Sequence, residues 1–150
     1  PKVGDVLFDM LSRRLLGNLM STSPLFAAFD PKTRLEIARL FEVRRAPVGT
    51  HLLDTDKRSD GLYIVLAGRI VTDDGYGKVV EAGPGAVFGQ RSLLFHTVSD
   101  LRVIAQGELV VLRLPAARFH LIAAQYPTVL AHLSDLATQP MGGIGRGSLS

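Results

Sequence analysis

Between residues 43 and 114 the chain breaks into short β-rich runs separated by clusters of glycine, proline and aspartate, a texture that few folds accept. The runs cover 43–46, 51–53, 62–66, 69–72, 78–81, 101–105 and 109–114. Strands of that length and spacing predict a mainly β sandwich or barrel. Asp73-Asp74-Gly75-Tyr76-Gly77 predicts a hairpin turn, because glycines there can take the positive φ that such turns need. With 47% hydrophobic and 21% charged residues over 150 positions, the chain can bury a core.

Helical patterning flanks the strands. Val3, Val6, Leu7, Met10, Leu11, Leu15, Leu19 and Met20 recur at three- and four-residue steps, which predicts an amphipathic helix whose last turn Gly17 weakens. Ser23-Pro24 and Asp30-Pro31 each set a capping side chain before a proline, so two more helices start there. The second is expected to run to about Phe41 and to bury Ile37, Leu40 and Phe41. Periodicity returns over 116–137 and is broken by Tyr126-Pro127, giving two short helices. The resulting division is an amphipathic helix at 1–22, a domain at 23–137 with its strands at about 43–115, and a Gly/Ser-rich tail or linker at 138–150.

The composition excludes several functions. The absence of cysteine removes disulfides, thiolate metal sites and cysteine nucleophiles, and suits the cytoplasm. No apolar run approaches the roughly 18–20 residues that cross a bilayer, and the first residues lack the build of a secretory signal. A start at Pro1 suggests a piece excised from a longer bacterial-type chain. Lys+Arg 17 against Asp+Glu 14 gives +3, but the basic residues fall in pairs (Arg13-Arg14, Arg44-Arg45, Lys57-Arg58) rather than along one helix. Direct nucleic-acid binding therefore has no support. His51, His96, His120 and His132 lack metal-ligand spacing, no serine–histidine–acid set stands out, and the domain is expected to be non-enzymatic with no cofactor.

The most informative stretch is Gly83-Pro84-Gly85-Ala86-Val87-Phe88-Gly89 followed by Gln90-Arg91-Ser92-Leu93-Leu94. Glycines before a short helical run can aim backbone amides at an anion, although the stretch matches neither the P-loop nor the dinucleotide fingerprint. Taken with Gly49-Thr50-His51-Leu52-Leu53 and Asp60-Gly61-Leu62-Tyr63-Ile64-Val65-Leu66-Ala67-Gly68, in that order, it resembles the cyclic nucleotide-binding domain family, including its catabolite-activator-like effector domains. The resemblance spans roughly residues 23 to 136. It implies an eight-stranded β-roll of jelly-roll type with flanking helices (α+β). It also implies, beside the roll, a phosphate-binding cassette of short helix plus loop that in the family cradles a cyclic nucleotide.

The resemblance also implies a divergent pocket. Gln90 stands where the family has a glutamate for the ribose hydroxyl. The family's phosphate-pairing arginine falls on Ser99, and its small neighbour on Asp100. Losing one partner of a desolvated charge pair costs about 2–5 kcal/mol, which would carry a micromolar site toward millimolar. The pocket positions are thus Gly89, Gln90, Arg91, Ser92, Ser99, Asp100 and Arg102, with Arg91 or Arg102 able either to reach an anion or to neutralise Asp100. Asp56 and Ser59 replace glycines frequent in the family, so that loop is expected to be reshaped.

The expectation is a regulatory or interaction module that binds a protein partner, the rest of a larger chain or a non-standard ligand, with cyclic nucleotide bound weakly. One alternative is a working cyclic nucleotide or cyclic dinucleotide sensor using Arg91 or Arg102. Another is the effector domain of a transcription regulator, cut before its DNA-binding part.

Overall fold

The computed structural model describes residues 29–127, together with Met10, Arg13, Arg14, Gly17 and Ala131. The helices expected at 3–20, from Ser23-Pro24 and after Pro127, and the tail at 138–150, lie outside the described residues. Helix α1 (Pro31–Ala38) begins as the Asp30-Pro31 pair predicts, with Asp30 Oδ1 accepting a hydrogen bond from the Thr33 amide at 3.0 Å. It stops three residues short of Phe41. The Leu40 and Phe41 amides turn back to the carbonyls of Ile37 and Ala38, a tighter winding that closes the helix. Ile37 and Phe41 are nevertheless buried, and Leu40 packs against the same core.

Eight strands follow: β1 (Glu42–Ala46), β2 (His51–Leu53), β3 (Gly61–Ala67), β4 (Ile70–Asp73), β5 (Val79–Ala82), β6 (Val87–Phe88), β7 (Arg102–Ala105) and β8 (Leu109–Pro115). Helix α2 (Gln90–Phe95) lies between β6 and β7, and α3 (Ala116–Gln125) follows β8. Seven strands fall on the predicted runs within a residue or so at each end. The eighth, β6, sits where glycine density predicts only a turn before a helix. Two residues carry no periodicity, and their pairing with β3 (Tyr63↔Phe88, Ile64↔Val87) makes them a strand. The hairpin between β4 and β5 forms as expected, with Gly75 and Gly77 at φ 79 and 92 and Asp74 Oδ1 accepting from the Tyr76 and Lys78 amides.

The strands form two antiparallel four-stranded sheets, in the orders β1-β8-β3-β6 and β2-β7-β4-β5. Strand β3 is almost wholly buried, so its sequence is continuously apolar instead of alternating. Side chains on a strand alternate between faces, and β3 therefore serves two cores. Leu62, Ile64 and Leu66 join Ile37, Phe41, Leu93, Leu112, Leu114, Phe119 and Ile122 under the helices. Tyr63 and Val65 join Phe88, Ile70, Val103, Ala105 and Val111 between the sheets. Each fully buried aliphatic side chain contributes about 1.5–3 kcal/mol by leaving water. Helix α3 ends at Gln125, and Tyr126, whose amide bonds the Ile122 carbonyl, caps it before Pro127.

Candidate functional site

The stretch from Phe88 to Leu101 forms a cassette whose shape its backbone sets. Gly89 precedes α2 at φ 92, and a Cβ there would meet the Gly61 carbonyl oxygen at 2.5 Å and Ser59 Oγ at 2.9 Å. Only glycine fits so close to two neighbouring segments. His96 ends α2 in the left-handed conformation at φ 52, its amide bonded to the Ser92 carbonyl, and its ring stacks on His120 of α3 with centroids 5.6 Å apart.

The Ser92 hydroxyl and one backbone hydrogen bond then join the cassette to the loop at 54–60. The Ser59 amide donates to Ser92 Oγ at 2.9 Å, and that hydroxyl donates to the Thr97 carbonyl at 2.5 Å. The Ser99 amide donates to the Lys57 carbonyl at 2.8 Å, while Ser99 Oγ donates to the Leu101 carbonyl and accepts from its amide. Ser59 Oγ donates to the Gly61 carbonyl at 2.6 Å. Among the described residues neither Asp56 nor Ser59 takes a positive φ.

The cavity left inside the cassette is about 10 Å³, lined by Leu53, Phe88, Gly89, Arg91, Ser92, Ser99, Asp100 and Leu101. Ligand pockets run to about 300–1,000 Å³. Of the expected pocket residues, Gly89, Arg91, Ser92, Ser99 and Asp100 meet around this cavity. Gln90 is fully buried and does not line it; its Oε1 accepts no hydrogen bond, although the residue is otherwise engaged. Arg102 is elsewhere. Asp100 precedes β7 rather than sharing a strand face with Arg102, whose Nε lies 3.8 Å from Asp54 Oδ1. The neutralising partner of Asp100 is Arg91, with Nε 3.6 Å from Oδ2 and the guanidinium 5.7 Å from the Phe95 ring centroid. Both members are roughly half exposed, which keeps such a pair near 0–1 kcal/mol.

A far larger cleft, about 630 Å³, opens on the other side of Leu53. Strand β1 supplies Arg44 and Arg45, the loop at 54–60 supplies Lys57 and Arg58, and β8 supplies Arg113. In the sequence Arg44-Arg45 and Lys57-Arg58 are separate pairs and Arg113 stands alone, because nothing in the spacing says that β1 and β8 are neighbours. Their register, Arg44↔Val111 and Glu42↔Arg113, brings them together. Arg113 is anchored by Glu42 Oε2 at 3.1 Å and Asp60 Oδ2 at 3.3 Å, and Arg44 Nη2 meets Glu42 Oε2 at 2.8 Å.

The hydrogen bond from Arg44 and the charges around it hold the Glu42 carboxyl below its usual value. The bond to His51, at 3.0 Å, does the same for Asp54. Tyr63 donates its hydroxyl to Asp60 Oδ1 at 2.6 Å and stacks on Phe88 with centroids 5.0 Å apart. Burial, then that bond, push its phenol up to about 12.

A two-sheet β-roll closed by helices, with a short cassette helix between its sixth and seventh strands, is the architecture of one class of domain. The cyclic nucleotide-binding domain family matches residues 43–126, and the chain belongs to it. The chain is 27% identical over 124 residues to a cyclic nucleotide-gated potassium channel of Mesorhizobium japonicum, an alignment covering 83% of this chain and 34% of the channel. A channel of the same kind from Rhizobium etli is 26% identical over 127 residues, covering 83% and 35%. The chain thus spans about a third of the length of the curated relatives it matches.

Among solved structures, the regulatory subunit of a cAMP-independent protein kinase A from Trypanosoma brucei superposes with a TM-score of 0.72 at 21% identity, covering 85% of this chain and 46% of that one. The catabolite activator protein of Thermus thermophilus gives 0.68 at 24%, covering 76% and 56%. These two likenesses concern the fold. Among the described residues no helix is long and apolar enough to cross a membrane, and no group of three or more His, Cys, Asp or Glu could hold a metal ion.

Proposed function

We propose that this domain is a non-catalytic, cytoplasmic regulatory module whose cassette is shut to cyclic nucleotides, acting through the rest of a larger chain or a protein partner. The observation that carries this reading is the cavity of only about 10 Å³ where a nucleotide would have to sit, beside the Ser59–Ser92 and Lys57–Ser99 hydrogen bonds that hold the cassette against the 54–60 loop. Seating a nucleotide there requires breaking those bonds. It also sets a phosphate against Asp100, with no arginine at position 99. Removing one partner of such a buried pair costs about 2–5 kcal/mol.

A second reading, a working sensor, is favoured by the place of Arg91 on the cavity wall, whereas Arg102 faces Asp54 and drops out of it. Calorimetric titration with cyclic AMP, cyclic GMP and cyclic di-GMP separates the two. The first reading expects no saturable heat below about 1 mM, where binding is worth some 4 kcal/mol. Submillimolar binding that Arg91→Ala abolishes overturns it and establishes the second.

A further inference from the structure

The cleft beside β1 carries an inference that does not depend on the state of the cassette. Five cationic side chains line it, Arg44, Arg45, Lys57, Arg58 and Arg113, against the carboxylates of Asp54 and Asp60. The cations are not equivalent. Arg113, with its side chain only 20% exposed, is clamped by Glu42 and Asp60, so its guanidinium is fixed in place before any ligand arrives. Lys57 and Arg58 form no ion pair with a described residue, yet their loop is held by the Lys57 carbonyl bonded to the Ser99 amide and by the Ser59 amide bonded to Ser92 Oγ.

A concave wall of low polarizability focuses the field of such a group and raises the local concentration of anions. Ala46, Leu53, Tyr63 and Val111 give the cleft apolar lining between these cations. Its volume, about 630 Å³, lies in the range of small-molecule sites and is too confined for a folded surface. We propose that this cleft is a binding site for a small molecule that carries a phosphate group on an apolar body. Arg113 and Arg44 supply the fixed part of the phosphate contact, Lys57 and Arg58 close over it, and the apolar lining takes the body.

The test is calorimetry on the whole chain at about 0.15 M salt, where exposed charges are screened beyond roughly 8 Å, with inorganic phosphate, pyrophosphate, phenyl phosphate and a hexaglutamate peptide as probes. Phenyl phosphate is expected to bind more tightly than inorganic phosphate, by about tenfold, because only it fills the apolar part. Lys57→Ala and Arg58→Ala, which break no ion pair, are each expected to weaken that binding about three- to tenfold. Arg91→Ala and Arg102→Ala are expected to leave it unchanged.

Loss of phenyl phosphate binding in Arg91→Ala would place the probe in the cassette and overturn the proposal. Equal affinity for phenyl and inorganic phosphate, binding of hexaglutamate alone, or silence toward all four probes up to about 10 mM would also overturn it. If Arg113→Ala fails to fold, Arg113→Lys keeps the charge without the two-pronged geometry. It is then expected to retain the fold, verified by circular dichroism, and to weaken phenyl phosphate binding. Cyclic nucleotide binding at the cassette, should it occur, survives Arg58→Ala, so failure here and failure of the preceding reading remain distinguishable.

Discussion

At the scale of single residues, Gly89 sets the geometry of the cassette. Its positive φ and its approach to the Gly61 carbonyl and Ser59 Oγ leave no room for a side chain. Gly89→Ala combines left-handed strain with a backbone clash, and is expected to lower stability by about 2–4 kcal/mol in denaturant unfolding. A loss below about 1 kcal/mol would show that the cassette and β3 are not held at this separation. The sequence makes some of these residues legible and hides others. Ser99 and Asp100 stand out in the sequence because, on the family resemblance, a cation type is missing at a countable position. Ser59 and Ser92 announce nothing, since a hydrogen bond between residues 33 apart has no local signature. The same holds for Arg102, whose partner Asp54 is chosen by the packing of β2 on β7 and not by distance along the chain.

At the scale of elements, the cassette and its neighbouring loop are joined by the Ser92 hydroxyl and by the backbone bond from Ser99 to Lys57. Ser92→Ala removes both the acceptor for the buried Ser59 amide and the donor to Thr97. The expected cost is about 1–3 kcal/mol, together with faster hydrogen exchange at the Ser59 amide. Unchanged exchange there would contradict the stitching. The opposite edge of the roll is tied by Glu42, which reaches Arg44 on its own strand, Arg113 on β8 and Arg118 on α3.

The native carboxyl of Glu42 titrates below the ordinary 4.5, so its contribution is present above pH 4.5 and is lost as pH falls through the lower native value. Glu42→Gln is expected to lower the thermal midpoint at pH 7, with the gap from the parent protein closing on acidification below pH 4.5. A gap that stays constant down to pH 3 would mean the charge contributes nothing. Strand positions were legible at this scale because β-branched runs between turn residues predict strands directly. Strand β6 was not, because two residues become a strand only when a neighbour bonds to them.

At the scale of the whole molecule, the two cores are not separate. Strands β3 and β8 lend alternate residues to each, with Leu112 and Leu114 on the helix side and Leu109 and Val111 between the sheets. Ile122→Ala under the helices and Ile70→Ala in the far sheet are therefore each expected to cost about 2–5 kcal/mol. Both should shift a single unfolding transition that far-UV dichroism and tyrosine fluorescence report at the same midpoint. Two separated transitions would show that the helical layer melts by itself. The sandwich was legible from strand spacing and the eight-stranded roll from the family resemblance, whereas the order of strands within each sheet was not. The basic cleft was not, because it exists only once β1, β8 and the 54–60 loop meet.

That loop has a further consequence. It is a short strap bonded to the cassette through the Lys57 carbonyl and the Ser59 amide, and it carries two cations that form no ion pair with a described residue. Lys57 and Arg58 belong to the same few peptide units that bond Ser92 of the short helix and Ser99 after it. The rim of the basic cleft and the wall of the cassette cavity are thus bonded through one stretch of backbone.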